Sequence, residues 1–240
     1  MKPDIKEETM ERPTCASHNA STSSHFEAET KVNLIVDYIV KPGGGLAFCH
    51  PFTKKPCPCV LEGSLQEAIR AHVTGDDKLD VSVRDNRRKI YRGPLRLGAY
   101  LPLRNGFTHF AVIDIDGGAK HASSLKDPFQ AAVKVHAKAL SMGIPSHIEV
   151  SGSGEGAHLW FFFEKPIEAW KARQLLFHLC DGEQFPLLNG GSARPHSNEG
   201  IEVFPKQDRI EPGGYGNLVW LPFWHGAKPG CCEFVQAVAA

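Results

Sequence analysis

The chain has 240 residues, 42% of them hydrophobic, which is enough for one large or two small cored domains and too apolar for a disordered chain. Lys plus Arg and Asp plus Glu both number 27, so a global electrostatic pull toward nucleic acid, membranes or acidic partners is excluded, and such partners must be read from local clusters. No apolar run approaches the roughly 20 residues that span a bilayer, and the N-terminus lacks the charged-then-apolar order of a signal peptide. Seven cysteines at irregular spacings do not form a disulfide framework, so the expectation is a soluble, cytoplasmic protein with reduced thiols and no membrane partner.

Residues 1–30 scatter Ser, Thr, His and Glu with almost no bulky apolar groups, and they read as a flexible N-terminal tail. Residues 31–105 read as an N-terminal α/β part. Within it, "SLQEAIRAHVTG" carries Ser64 with Glu67 three residues on, a capping box, and Leu65, Ala68, Ile69 and Val73 share one helical face before Gly75. From residue 106 the order of elements becomes plain. "FTHFAVIDI" is an apolar strand, and Asp127-Pro128 caps a helix running to Gly143 with Phe129, Ala132, Val133, His136 and Leu140 at helical spacing. "SHIEVS" and "AHLWFFF" are strands joined by the loop "GSGEG"; Pro166 then opens a helix that ends near Gly182, and "GIEVF" and "GNLVWLPF" are further strands. Strand, helix, strand, strand, helix, strand is the split βαβ order of ferredoxin-like sheets. The expected fold is therefore α+β, an RRM-like antiparallel sheet over residues 106–226 with an N-terminal α/β extension and a C-terminal tail at 227–240.

The strand "FAVIDID" ends in two acids, Asp114 and Asp116, which in extended backbone project to one face with Cα atoms roughly 6–7 Å apart. Carboxylates so close either share a proton or share a divalent cation, and the following Gly117-Gly118 opens the strand end to a ligand. The plainer alternative is that Asp116 caps the turn while Asp114 points to solvent. The loop "SGSGEG" lets the backbone approach an anion closely, or it is an ordinary glycine hairpin. His158 follows it, alternating with Trp160 and Phe162. In "IEVFPKQ", Glu202 adds an acid inside an apolar strand, completing a three-carboxylate cup for Mg²⁺ or Mn²⁺, and Lys206 offers a point charge to a phosphate.

"VIDID", "SGSGEGAHLWFFFE" and "IEVFPKQ…GGYGNLVWLP", in this order and spacing, resemble the three catalytic motifs of the archaeo-eukaryotic primase superfamily, nearest its bacterial, plasmid and phage primase-polymerase branch and the primase domains of conflict systems. With "HVTG" and "LGAYLPLRNGFTHFAVIDID" the resemblance covers residues 64–223. It implies Asp114, Asp116 and Glu202 as catalytic metal ligands and Ser153, Gly154, His158 and Lys206 as nucleotide contacts. Related sequences often carry aspartate in the third motif, so Glu202 departs from their pattern. The function implied is DNA primase or polymerase chemistry, metal-dependent transfer of a nucleotide from NTP or dNTP to a 3′-hydroxyl.

A single-stranded DNA template needs its own surface. Residues 84–104 carry Arg84, Arg87, Arg88, Lys89, Arg92, Arg96 and Arg104 against the single acid Asp85, with Tyr91 and Tyr100 interleaved, a composition suited to a phosphate-tracking groove with base stacking. The first five are the candidate DNA contacts; a solvated charged loop is the bland reading. Cys49, His50, Cys57 and Cys59 offer four ligands for a structural Zn²⁺, although C-P-C departs from the usual C-x₂-C geometry. Relatives often continue into helicase or accessory domains, which makes a helicase or other replication or defence protein an expected partner. Two other functions use the same residues: a metal-dependent nuclease that activates water, and a catalytically silent single-strand-binding module.

Overall fold

The computed structural model describes residues 23–42, 44–117, 127–180 and 201–235. Helix α1 (Ser23–Leu34) passes into a π-helical turn (Ile35–Ile39). Ordered structure thus begins inside the stretch expected to be a tail, because tertiary contacts hold it. Arg70 grips Glu29 through Nε and Nη2 at 2.7 and 2.9 Å, Lys31 reaches Glu233 at 2.9 Å, and Val32 and Ile35 are buried. The rest of that tail, residues 1–22, lies outside the described residues.

Strands β1 (Leu46–Cys49) and β2 (Pro56–Glu62) form a hairpin, followed by helix α2 (Leu65–Thr74) and strands β3 (Ser82–Asp85), β4 (Ile90–Arg92) and β5 (Leu97–Leu101). The capping box is present at α2: Ser64 Oγ accepts the Glu67 N–H, and Gly75 ends the helix in the left-handed region at φ 72°.

Next come β6 (Phe107–Ile115), α3 (Pro128–Ser141), β7 (His147–Val150), β8 (Ala157–Glu168), α4 (Ala169–Cys180), β9 (Ile201–Phe204) and β10 (Asn217–Trp220). Asp127 caps α3 by accepting the Gln130 N–H, with Pro128 in the first turn. Pro166 sits inside β8, whose pairing with β6 continues to Glu168, so α4 starts three residues later than the proline suggested. The buried stripe of α3 is Phe129, Ala131, Ala132, Val135 and Ala139, whereas Leu140 is 46% exposed. The alanines let the helix lie close on the sheet, which turns the expected face partway round.

Among the described residues all strand pairs are antiparallel. One sheet runs β10-β5-β1-β2-β3-β4 and the other β7-β8-β6-β9. Helices α3 and α4 cover one face of the second sheet through Ala111, Ile113, Leu159 and Phe161. Its other face, with Phe110, Val112, Trp160 and Phe204, shares a core with α1, α2 and the first sheet. The expected boundary between residues 31–105 and 106–226 is not a division of the structure, because β10 pairs with β5 in the first sheet. Residues 231–235 are not a free tail either: Cys232 N–H donates to the Val150 carbonyl at 2.7 Å and Val235 N–H to that of Ile148 at 2.8 Å, lining the open edge of β7. Among the described residues no helix is long and apolar enough to cross a membrane.

Candidate active site

Two successive rungs cross the face of the four-stranded sheet that turns away from α3 and α4. In the first, His147, Trp160, Val112 and Phe204 are register partners, and the last three belong to the shared core. Two residues further along each strand, the same pairing aligns Glu149 on β7, His158 on β8, Asp114 on β6 and Glu202 on β9. Cover thins here. The side chains of His158, Asp114 and Glu202 are 15%, 25% and 27% exposed, whereas Glu149 is 1% exposed.

Like charges directly opposite one another destabilise a sheet, so Asp114 beside Glu202 needs compensation. Two cations supply it. His158 Nε2 lies 3.4 Å from Asp114 Oδ1 and its Nδ1 3.0 Å from Glu149 Oε2, while Lys206 Nζ donates to Glu202 Oε1 at 2.6 Å. Trp160 Nε1 donates to the same Glu149 oxygen at 2.7 Å, fixing that buried carboxylate. Burial raises the Asp114 carboxyl; His158 opposes that shift, and Asp116, Glu202 and Glu149 add to it. Burial alone would lower His158, but Glu149 and then Asp114 outweigh it and hold the ring well above its ordinary value, as imidazolium at neutral pH.

Glu149 was missed as a site residue, although "HIEV" carries the signal that flagged Glu202 in "IEVF", an acid inside an apolar strand. Asp116 follows the last residue of β6 and meets the glycine loop. A Cβ on Gly156 would stand 2.8 Å from the Ile115 carbonyl oxygen and 3.3 Å from Asp116 Oδ1, so only glycine lets the loop come this near. The loop itself is tightly wired. Gly154, at φ +76°, donates its N–H to the Ser151 carbonyl, Glu155 N–H donates to Ser153 Oγ, and Gly156 N–H donates to Ser151 Oγ. Those three amides are therefore engaged within the loop rather than directed outward at an anion.

Asp114 Oδ1 is buried with no hydrogen bond among the described residues, and beside the His158 imidazolium its neighbours Asp116, Glu202 and Glu149 are carboxylates, the hard-oxygen chemistry that suits Mg²⁺ or Mn²⁺. Among the described residues, however, no three of His, Cys, Asp and Glu are grouped as a metal cluster. The acids face the protein's own cations instead. The same finding leaves the expected zinc site without support. Phe48 pairs with Cys57 and Cys49 with Pro56, so the pleat sends Cys49 to the face opposite Cys57 and Cys59. His50 is taken up otherwise: its Nε2 lies 3.0 Å from the Tyr91 hydroxyl, and its Nδ1 accepts the N–H groups of Phe52 and Thr53.

Arg84, Arg87, Arg88, Lys89 and Arg92 gather on the β3–β4 hairpin at the edge of the six-stranded sheet. Asp85 organises the turn by accepting the N–H groups of Arg87 and Lys89. Arg84 and Arg92 already pair with Glu62 and Asp80, and Arg92 stands exposed like Arg87, Arg88 and Lys89. Tyr91 is core, its ring tilted against Phe48 at 4.8 Å, so of the two interleaved tyrosines only Tyr100, which packs 5.1 Å from the half-exposed Tyr215, has an outward aspect.

Residues 65–237 match the family model described as TOTE conflict system, Archaeo-Eukaryotic Primase domain. The chain belongs to that archaeo-eukaryotic primase domain family. No curated protein matches the sequence. Among solved structures it is similar to the polymerase domain of Ligase D from Mycobacterium tuberculosis in complex with DNA, at 15% identity and a TM-score of 0.32. The likeness covers 66% of this chain and only 61% of that one, and it is too loose to bear on the site.

Proposed function

We propose that the protein is a DNA primase or polymerase, joining NTP or dNTP to a 3′-hydroxyl on a single-stranded template with release of pyrophosphate. The observation that supports this best is the rung in which Asp114, Glu202 and the imidazolium of His158 meet at the end of the four-stranded sheet. In this reading the four-stranded sheet β7-β8-β6-β9 is the RRM-like catalytic sheet, and the six-stranded sheet, to which β10 also belongs, supplies the template surface.

Asp114, Asp116 and Glu202 would hold Mg²⁺ or Mn²⁺, and Asp114 Oδ1, buried and accepting no hydrogen bond among the described residues, fits such a ligand. Divalent ions bound there supply activation of the attacking hydroxyl and neutralisation of charge on the phosphates. His158, kept charged by Glu149, presents Nε2–H beside Asp114 and would donate it to a phosphate oxygen. Lys206, two residues past the end of β9, holds Glu202 with an ammonium that would exchange it for a phosphate. Ser153 and Gly154 lie in the loop that lines the same end of the sheet. The exposed hairpin cations Arg87, Arg88 and Lys89 would track the template backbone, with Arg84 and Arg92 behind them.

A second reading, a silent single-strand-binding module, is favoured by one observation: His158 and Lys206 already balance the acids. The deciding assay mixes the protein with single-stranded DNA, primed and unprimed, and ribo- or deoxynucleotides in Mg²⁺ or Mn²⁺. Extension products support the polymerase. Salt-sensitive DNA binding with no product under any combination supports the module, and degradation without nucleotides indicates a nuclease.

A further inference from the structure

Arg96, just ahead of β5, lies with its guanidinium between the rings of Trp220 and Trp224, 4.8 Å from each centroid. An arginine clamped by both flat faces has only its edge left for a partner, and that edge carries all five N–H donors. Its Nε is buried without a hydrogen-bond partner among the described residues, and so is the indole Nε1 of Trp224 stacked against it. Native folds rarely leave buried donors unpaired, so two on stacked neighbours call for a reason.

Their surroundings supply one. The position a Cβ would take on Gly152 is 3.7 Å from Arg96 Nη2, and the Lys228 N–H donates to the Gly152 carbonyl at 3.3 Å. Arg96 therefore abuts the loop that runs from Glu149 to His158, at the end of the acid rung. With the amides of Gly154, Glu155 and Gly156 engaged inside that loop, side chains beside it are the stronger source of attraction for an anion. Burial works against the Arg96 charge, and an incoming anion would relieve that penalty.

We propose that Arg96 and the Trp224 indole N–H form an anion subsite beside the glycine loop, which takes the terminal phosphates of a nucleoside triphosphate. A planar fork held by two aromatic faces suits phosphate oxygens better than a mobile ammonium does, because the clamp fixes the donors before the ligand arrives. The proposal rests on the polymerase reading and adds to it the residues that select a triphosphate over a monophosphate.

Calorimetric titration of the full chain with dATP and with dAMP, in Ca²⁺ and without DNA, tests it. Trp224→Phe keeps the stack and removes one donor, and it should weaken dATP at least about tenfold while leaving dAMP unchanged. Arg96→Gln should weaken dATP by at least as much, with Arg96→Lys recovering only part. Variants that melt like the wild type and bind dATP equally well would overturn the subsite, as would a wild type that does not distinguish dATP from dAMP. Loss of affinity for a 5′-phosphorylated oligonucleotide with dATP binding intact would overturn it too, by giving the site to DNA. Triphosphate binding without incorporation by the wild type would sink the polymerase reading and leave the subsite standing, whereas incorporation with an unaltered nucleotide KM in Trp224→Phe would do the reverse.

Discussion

Asp114 and Glu202 stand directly opposite each other on adjacent antiparallel strands, one acid on β6 and one on β9, on the same face of the sheet. Their mutual repulsion makes the pair a poor device for stability and a good one for holding a cation. Asp114→Asn should therefore cut nucleotide incorporation by roughly two orders of magnitude or more, the scale on which loss of one charge-stabilising group acts. Its melting temperature should change little, since losing the charge removes a burial cost and the repulsion from Glu202 while giving up the His158 ion pair. Wild-type protein should melt higher on adding Mn²⁺ and the variant should not. A Mn²⁺-dependent rise retained by Asp114→Asn would move the ion elsewhere.

In the polymerase reading Glu149 acts through His158, as a positioning residue. Glu149→Gln keeps an acceptor for Trp160 Nε1 but removes the charge that contributes most to raising the imidazole. NMR titration of the His158 ring should show its pKa falling by about one to two units, with the alkaline limb of any activity profile moving the same way. An unmoved His158 titration would reduce Glu149 to a packing role.

His72 gives the fold a pH dependence of its own. Its Nδ1 accepts the Leu97 N–H at 3.0 Å and its Nε2 donates to the Pro222 carbonyl at 3.2 Å, so both nitrogens are satisfied only in the neutral ring. Burial pushes its pKa down to about 4, below the roughly 6.5 of an unfolded chain. Between those values the unfolded state binds more protons, so this contribution is complete above pH ~6.5 and is lost as pH falls toward 4, up to about 3 kcal/mol. Urea unfolding from pH 7 to 4.5 should show a flatter pH dependence in His72→Gln than in the wild type.

Gly156→Ala should destabilise the protein by about 1–3 kcal/mol in chemical denaturation, because its methyl would press on the backbone carbonyl of Ile115 rather than on a side chain able to move. A denaturation midpoint equal to wild type would mean the loop is looser than its contacts with β6 suggest.

The hairpin cations should divide by partner. Arg87→Ala, Arg88→Ala or Lys89→Ala should weaken single-stranded DNA binding and lower the salt slope by about one each, whereas Arg84 and Arg92, held by Glu62 and Asp80, should matter less. Equal, small effects at all five positions would take the template path off this hairpin.

Much of this architecture was legible where the governing interactions are local. The caps at Ser64 and Asp127 and the limits of β6 follow from residues within one turn or one strand of each other. Pro166 misled because its meaning depends on whether β6 pairs alongside it, which no local pattern reports. The Arg96 clamp was illegible because Trp220 and Trp224 lie more than 120 positions further along the chain. The cysteine cluster failed as a zinc site for a related reason, since a hairpin's register separates residues that are close in sequence.

Strand periodicity alone put Asp114, His158 and Glu202 each on a definite side of its own strand, because side chains alternate with period two whatever the strand pairs with. That those three sides coincide, that Glu149 joins them, and that His158 and Lys206 rather than solvent meet the acids was decided only by antiparallel register and packing. Register is set by which apolar faces bury together, a sum over distant segments that no single stretch of the chain contains.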